Sequence, residues 1–257
     1  MTKRKLIKLG GSIFEQLDPR YYEEWNQWLA KKNELIILHG GGPALSAYCQ
    51  DMNIKAEFKN GIRMTTEAVL LGAERVLGGE VQSKIVYTLN ENGLPAIGLT
   101  GIDGASIRGK QQPAFGAVGE VTQIDPKLFM TLMESGFIPV VTSLITGMEG
   151  TLNCNGDTCA VALAAGLAVD EFELLTDVSG VRLNGTFQTE VTVSELEAGI
   201  GSAEIDGGMI PKVEAVIEAV RQGIHQVKIR SGHDVTSRGT RIKEETNERF
   251  TTDVFTL

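Results

Sequence analysis

The chain has little cysteine, little proline, no long apolar run and no surplus of positive charge, and each scarcity closes a class of function. Cys49, Cys154 and Cys159 are an odd, small count for 257 residues and fit a reducing cytoplasm. Cys154 and Cys159 have no histidine near them in sequence, which argues against a zinc site. No stretch approaches the roughly 18 apolar residues of a membrane span. The basic first residues lead into strand-like sequence, not into the apolar core of a signal peptide. A net charge of -9 argues against nucleic acid and anionic membranes as partners. Any phosphate ligand must therefore be held by a local site. Seven prolines against 30 glycines leave no proline-rich linker and point instead to tight backbone approaches.

What remains is an ordinary globular composition, 42% hydrophobic and 22% charged. The length fits one large α/β domain or two small lobes. The organising stretch is Lys5-Leu6-Ile7-Lys8-Leu9-Gly10-Gly11-Ser12. A run of branched apolar residues reads as a buried parallel strand, interrupted by one cation, Lys8, and running into two glycines. Ligands of open α/β sheets bind beyond the carboxyl ends of the strands, where a lysine and unobstructed backbone can hold a phosphate. Further strands are expected at Leu35-Leu38, Pro95-Leu99, Ile138-Val141, Glu173-Thr176 and Val227-Ile229. Helices are expected at Pro19 to Lys31, Ala44 to Met52, from Thr66, from about Glu80 to Asn92, from Asp125, at Asn155 to Leu167 and at Pro211 to Gly223. Lys55 to Met64 reads as a polar hairpin carrying Arg63, and residues 104 to 123 as a hairpin excursion. This alternation predicts a mostly parallel sheet covered on both faces.

Two familiar nucleotide signatures nearly occur, and both fail. Gly104-x4-Gly109-Lys110 has Gln111 where a magnesium-binding Ser or Thr is required, and it lies in hairpin-like sequence. Gly40-x-Gly42-x-x-Leu45 lacks the third glycine of the dinucleotide fingerprint. Another device can be assembled from four places. His39-Gly40-Gly41-Gly42-Pro43 follows a strand and opens a helix, so its amides can face an anion. Arg63 can clamp a carboxylate. Asn153-Cys154-Asn155-Gly156-Asp157 precedes the buried helix, where Asn155 or Asp157 could equally be the N-cap. Gly207-Gly208-Met209-Ile210-Pro211-Lys212 places a cation in a first helical turn, against the helix dipole, unless an anion sits beside it.

Taken together with Gly61-Ile62-Arg63 and Thr176 to Gly180, these segments occur in an order that resembles the amino acid kinase family, over about residues 3 to 242. The resemblance implies a three-layer αβα sandwich around a mostly parallel sheet. It implies a single domain over 1–257, with an N-lobe of about residues 1–167 for an acylated amino acid and a C-lobe of about 168–257 for ATP. Within the family the pattern is most similar to members that phosphorylate the γ-carboxylate of N-acetyl-L-glutamate in arginine biosynthesis. It implies that Lys8 and Lys212 bracket the transferring phosphoryl group and that Asp157 orients both. Gly41, Gly42, Arg63 and Asn153 would contact the acyl amino acid. Lys8, Gly10, Gly11, Ser12, Asp177, Val178, Ser179, Gly180, Val181, Arg182, Glu204, Ile205 and Asp206 would contact ATP. Magnesium would be held mainly by ATP phosphates and water, with no metal site in the protein, and the enzyme would be a cytoplasmic homodimer.

The alternatives are a relative acting on N-acetyl-L-2-aminoadipate or another carboxylate or carbamate, or a regulator of the same fold that binds nucleotide without catalysis. Retention of Lys8, Asp157 and Lys212 argues against the last. Asp206 stands where the family often has Thr, and Lys243 to Leu257 extends past the usual end. Arginine-inhibited relatives carry an additional N-terminal helix, whereas only Met1 to Ile7 precede Lys8 here. That predicts a dimer insensitive to arginine, since so few residues cannot nucleate a helix.

Overall fold

The computed structural model describes residues 2–11, 13–59 and 61–245. Strand β1 (Arg4–Leu9) is buried on both faces from Lys5 onward. Helix α1 (Arg20–Ala30) buries Tyr21, Tyr22 and Trp25 and leads to β2 (Glu34–His39). A glycine turn opens α2 (Gly42–Asp51), with Pro43 in the first turn, where its missing N–H is an orphan in any case. The hairpin of β3 (Phe58–Lys59) and β4 (Ile62–Arg63) follows. Helix α3 (Glu67–Arg75) is capped by Thr66, whose hydroxyl accepts from the Val69 amide. It does not stop before α4 (Gln82–Glu91): a π-helical segment, Val76–Val81, joins the two, containing Gly78 and Gly79. The wider turn changes the helical phase without a break.

The chain continues through β5 (Ala96–Thr100), β6 (Ile107–Gln111), β7 (Val118–Ile124), α5 (Lys127–Glu134), β8 (Ile138–Thr142), β9 (Leu144–Thr146), β10 (Thr151–Cys154) and α6 (Gly156–Gly166). After α6 come β11 (Glu171–Thr176), the hairpin of β12 (Arg182–Leu183) and β13 (Thr186–Phe187), then β14 (Glu190–Thr192) and α7 (Val193–Gly201). Helix α8 (Ile210–Arg221), β15 (Gln226–Ser231) and β16 (Thr240–Lys243) complete the described chain. The expected hairpin at Lys55 to Met64 is β3–β4, while α7 and the strands β9, β10, β12, β13, β14 and β16 escape the sequence reading. The start of α7 nevertheless carries a full capping box between Thr192 and Glu195.

Eight strands form the central sheet in the order β14-β16-β15-β11-β1-β2-β8-β5. Only β15 and β16 pair antiparallel within it. Side chains alternate between two cores. Leu6, Ile36, Leu38, Val141, Phe172 and Leu174 pack with α5, α6 and α8 on one face. Ile7, Leu9, Leu35, Ile37, Val140 and Leu175 pack with α1 and α4 on the other. The result is the three-layer αβα arrangement, with each strand hidden on both sides. Because β1 is central, the chain leaves it toward β2, β8 and β5 and returns to its other side at β11. The carboxyl ends of β1, β2 and β11 therefore meet at a topological switch point, where a ligand crevice opens.

A second sheet, β10-β7-β6-β9, closes on itself beside α6. It explains the failed phosphate-loop match. Gly109 sits in β6 at a register shift, where a Cβ would lie 2.4 Å from Ile145 Cδ1 and 2.6 Å from the Glu120 carbonyl oxygen. The glycine is there for close packing, not for phosphate.

Candidate functional site

At the carboxyl edge of the sheet, β1 runs into Gly10-Gly11 and β2 into Gly40-Gly41-Gly42, and the two turns touch. A Cβ on Gly11 would lie 2.9 Å from the Gly41 nitrogen and 3.0 Å from that of Gly42. No larger residue fits without moving backbone. The Gly10 amide donates to the Leu175 carbonyl at 3.0 Å, so it extends the sheet and is not a donor to the crevice, contrary to the expectation for Gly10. The amides of Gly11 and Gly41 have no acceptor among the described residues. Ser12, expected to contact ATP, lies outside the described residues.

Lys8 shares the face of β1 with Leu6, under the start of α6. Its Nζ lies 2.6 Å from Asp157 Oδ1, with side-chain exposures of only 8% and 13%. The capping ambiguity resolves cleanly. Asn155 Oδ1 accepts from the amides of Asp157 (2.8 Å) and Thr158 (3.1 Å), so Asn155 is the N-cap. Asp157 is thereby left for Lys8, while the helix N-terminus favours its charge.

Next to this pair a cavity of about 190 Å3 is bounded by Gly41, Gly42, Arg63, Leu77, Asn153 and Cys154. Arg63 Nη2 donates to the Gly42 carbonyl (3.0 Å) and to Ser46 Oγ (2.8 Å), and its guanidinium carbon lies 4.6 Å from the centre of the Phe58 ring. Its Nη1 is buried without a partner among the described residues. Partial burial moves the guanidinium below its ordinary value but leaves it a cation. A buried charged donor with nothing to bind is costly unless a ligand supplies the acceptor. Asn153 Nδ2 donates to Thr65 Oγ1 at 3.2 Å, which fixes the asparagine at the end of β10.

The other side of the edge is open. Asp177 is exposed at the end of β11. The Thr176 hydroxyl donates to it at 2.8 Å, and this bond, with the nearby charge of Lys212, holds its carboxyl below the usual range. Lys212 Nζ donates to the Gly208 carbonyl at 3.2 Å and forms no ion pair among the described residues. Asp157 therefore orients Lys8 but not Lys212, contrary to the expectation that it holds both. The physical reason is placement: α8 begins after a 3-10 turn, Gly207–Met209, and the lysine folds back on that turn.

Val181 and Ile205 do not face this edge. Both side chains are buried in the core, Val181 donates its amide to Thr240 Oγ1 (2.8 Å), and the Ile205 amide is bound to the Gly199 carbonyl (3.0 Å). Neither side chain is therefore free to meet ATP, so the contact that the resemblance implies for either residue would fall to its backbone. Gly180 has φ +151 and passes so close to Thr240 that a Cβ would lie 2.5 Å from its Oγ1. Ser179 accepts a hydrogen bond from Ser237 Oγ at 3.3 Å, and Val178 is half-buried beside it. Arg182 stacks over Phe187 with 5.6 Å from the guanidinium carbon to the ring centre, and Glu204 accepts from the Asn184 amide. Asp206 is exposed just before the turn that starts α8.

A family model described as the amino acid kinase family matches residues 3–231. The chain belongs to the amino acid kinase family. An acetylglutamate kinase of Geobacillus kaustophilus is 36% identical over 253 residues, covering 95% of this chain and 98% of that protein. An acetylglutamate kinase of Bacillus licheniformis is 37% identical over 236 residues, covering 90% and 91%. A Streptococcus mutans protein of solved structure superposes with a TM-score of 0.88 at 30% identity, covering 95% of this chain and 99% of that one.

Several residues of this amino acid kinase site escaped the sequence reading. Ser46, Thr65 and Phe58 each hold Arg63 or Asn153 in place, yet as isolated residues they carry no signal. His39, at the head of the glycine turn, is 1% exposed, and burial pushes its pKa down to about 4. Its Nδ1 lies 2.9 Å from the Gly40 carbonyl oxygen, so a neutral ring donates there and braces the glycine turn. His233, at the end of β15, joins Asp177 and Lys212 only through the sheet order.

Proposed function

We propose that the chain transfers the γ-phosphoryl group of ATP to the γ-carboxylate of N-acetyl-L-glutamate, giving N-acetyl-L-glutamyl 5-phosphate in arginine biosynthesis. The observation that carries this reading is the cavity in which the unpartnered Arg63 Nη1 and Asn153 lie beside the buried Lys8–Asp157 pair. One end of the cavity suits an α-carboxylate, and the other end adjoins a fixed cation. The names of the Geobacillus and Bacillus relatives point to the same activity.

The acceptor carboxylate is already ionised at neutral pH, so no general base is required. Catalysis is then positioning and neutralisation of charge on the transferring group. Lys8, fixed by Asp157, meets the phosphoryl oxygens from one side. The Gly11 and Gly41 amides add donors where the two turns touch, and Lys212 approaches from α8 when nucleotide is bound. Asp177, Val178, Ser179, Gly180, Arg182, Glu204 and Asp206 form the edge on which the nucleoside rests. In this division residues 1–167 hold the acyl amino acid and 168–257 the nucleotide.

Magnesium arrives on the nucleotide. Phosphate oxygens with water suit this hard cation. It supplies further neutralisation of phosphoryl charge. No described helix is long and apolar enough to cross a membrane, and a cytoplasmic location fits a biosynthetic kinase. The unpaired edge of β5, beside α4 with its 67%-exposed Tyr87, offers a surface for a homodimer.

A panel of acylated acids with ATP tests the reading. N-acetyl-L-glutamate should be turned over with the highest kcat/KM. Preference for N-acetyl-L-2-aminoadipate or carbamate, or ATP binding without turnover of any acceptor, overturns it.

A further inference from the structure

Two cysteines sit where the acyl-side cavity meets the start of α6. With Asn155 as N-cap, Cys154 is the residue before the cap and Cys159 the fourth residue of the helix. Side chains at those two positions pack against each other across the cap and fix the angle at which the chain joins the helix. Both are free thiols in the same core cluster, Cys154 at 4% and Cys159 at 0% exposure. Cys154 also lines the cavity and Cys159 does not, so a small solute there reaches Cys154 first. The two thiols differ chemically as well. The adjacent Cys159 thiol draws Cys154 below its ordinary range, while contact with Cys154 and burial push Cys159 well above it. That asymmetry suits an attacking thiol followed by a resolving one.

We propose that Cys154 and Cys159 are a peroxide-reactive dithiol that closes to a disulfide across the α6 N-cap and disables the cleft. The thiolate of Cys154 attacks one oxygen of hydrogen peroxide. An S–O bond forms, the O–O bond breaks, and the departing hydroxide leaves as water with the thiol's proton. Cys159 then gives up its proton and attacks the sulfenic sulfur. The S–S bond forms, the S–O bond breaks, and a second water leaves. Two electrons pass from the thiol pair to the peroxide, and a dithiol reductant reverses the change.

The consequence follows from what the turn contains. Bonding draws the two Cβ atoms together, and the segment between them holds Asn155 and Asp157. Contraction there moves Asp157 relative to Lys8 and Asn153 relative to Thr65, the contacts that shape the cleft. The loss of activity rests on the function proposed above; the thiol chemistry does not. Bound acyl amino acid shields Cys154. Cys49 is buried in a separate cluster under α2 and serves as an internal reference.

The experiment treats the reduced full chain with hydrogen peroxide and follows intact mass, mapped peptides and kinase activity. Expected are a loss of two hydrogens, a peptide joining Cys154 to Cys159, and an unmodified Cys49. Kinase kcat falls about a hundredfold and returns on addition of dithiothreitol. Acyl amino acid at about ten times its Kd slows the cross-link about tenfold, as the free fraction falls. Cys159→Ala keeps basal activity and stops at a sulfenic acid trapped by dimedone; Cys159→Ser replaces it if the alanine variant folds poorly. Absence of the cross-link, or a cross-linked enzyme with full activity, overturns the proposal. A chain that phosphorylates no acceptor overturns the proposed function instead, while the mass measurement still decides the dithiol.

Discussion

The two sides of the crevice are built differently. On the side proposed for the acyl amino acid, Arg63, Asn153 and Lys8 are each held by a neighbour before any ligand arrives: Ser46 and the Gly42 carbonyl, Thr65, and Asp157. On the side proposed for the nucleotide, Asp177, Arg182, Glu204 and Asp206 are exposed, and Lys212 rests on the Gly208 carbonyl of its own turn. A small acid must be oriented to within a bond length for transfer, so its binding groups are fixed in advance. A nucleotide brings a larger contact area and its own cation, and can order an open edge as it binds. The difference predicts that substitutions on the acyl side act sharply and separately, while those on the nucleotide edge act diffusely.

The largest effect should come from the group shared by both sides. Lys8→Ala is expected to lower kcat about 10²–10³-fold while changing either KM only slightly, because its charge matters most as phosphoryl charge is redistributed. Lys212→Ala should also fall mainly on kcat, by about 10–100-fold, since this half-exposed lysine reaches the phosphoryl group only when nucleotide is bound. Steady-state kinetics that place either loss in KM would erase the assigned roles.

A second test probes the glycine turn beneath the acyl side. Burial holds His39 at about 4 against an ordinary value of 6.5. As the pH drops below about 6.5 the unfolded chain takes up a proton that the folded one refuses, so stability is full above that value and declines toward pH 4. The loss over this window approaches about 3 kcal/mol. Urea unfolding at neutral pH and near pH 4.5 measures it, and His39→Asn, which keeps a donor near the Nδ1 position, should flatten the decline. An unchanged slope in that variant would show that other groups are responsible.

Arg63→Ala should raise the KM for the acyl amino acid about 10–100-fold, the usual worth of a charge-assisted contact, and leave kcat within a few-fold. A kcat-dominated loss would mean that Arg63 meets the phosphoryl group and not the substrate's far end. The smallest effect belongs to the C-terminal half away from the crevice. Thr192→Ala removes the cap of α7 and should cost about 1 kcal/mol, a Tm shift of about 2–4 °C, with kinetics unchanged. Altered nucleotide KM in that variant would show that α7 supports the open edge more directly than its position suggests.

Much of this was legible in the chain because local chemistry and global fold agree there. Lys8-Leu9-Gly10-Gly11 reads as a strand meeting a ligand edge because nothing else explains one cation in a buried apolar run. Asn155, Gly156 and Asp157 announce a helix start carrying more polar groups than capping needs. The amino acid kinase order of these segments supplied the rest. The inward turn of the Val181 and Ile205 side chains is not legible, because residues beside a ligand loop alternate inward and outward, and only the tertiary fold decides which way each one faces. Which lysine Asp157 meets is not legible, because sequence order is silent about where the side chains of Lys8 and Lys212 turn once their elements pack.

The sequence alone determined the parallel sheet, the glycine turns and the residue types that handle phosphate and carboxylate, since these depend on periodicity and on local side-chain chemistry. Tertiary structure decided the touching of the Gly11 and Gly41 turns, the Lys8–Asp157 pairing, the bracing of Arg63 by Ser46, and the meeting of Cys154 with the cavity. Each of these joins segments that share no local signal, and only the crossing of the chain at β1 brings them to one edge.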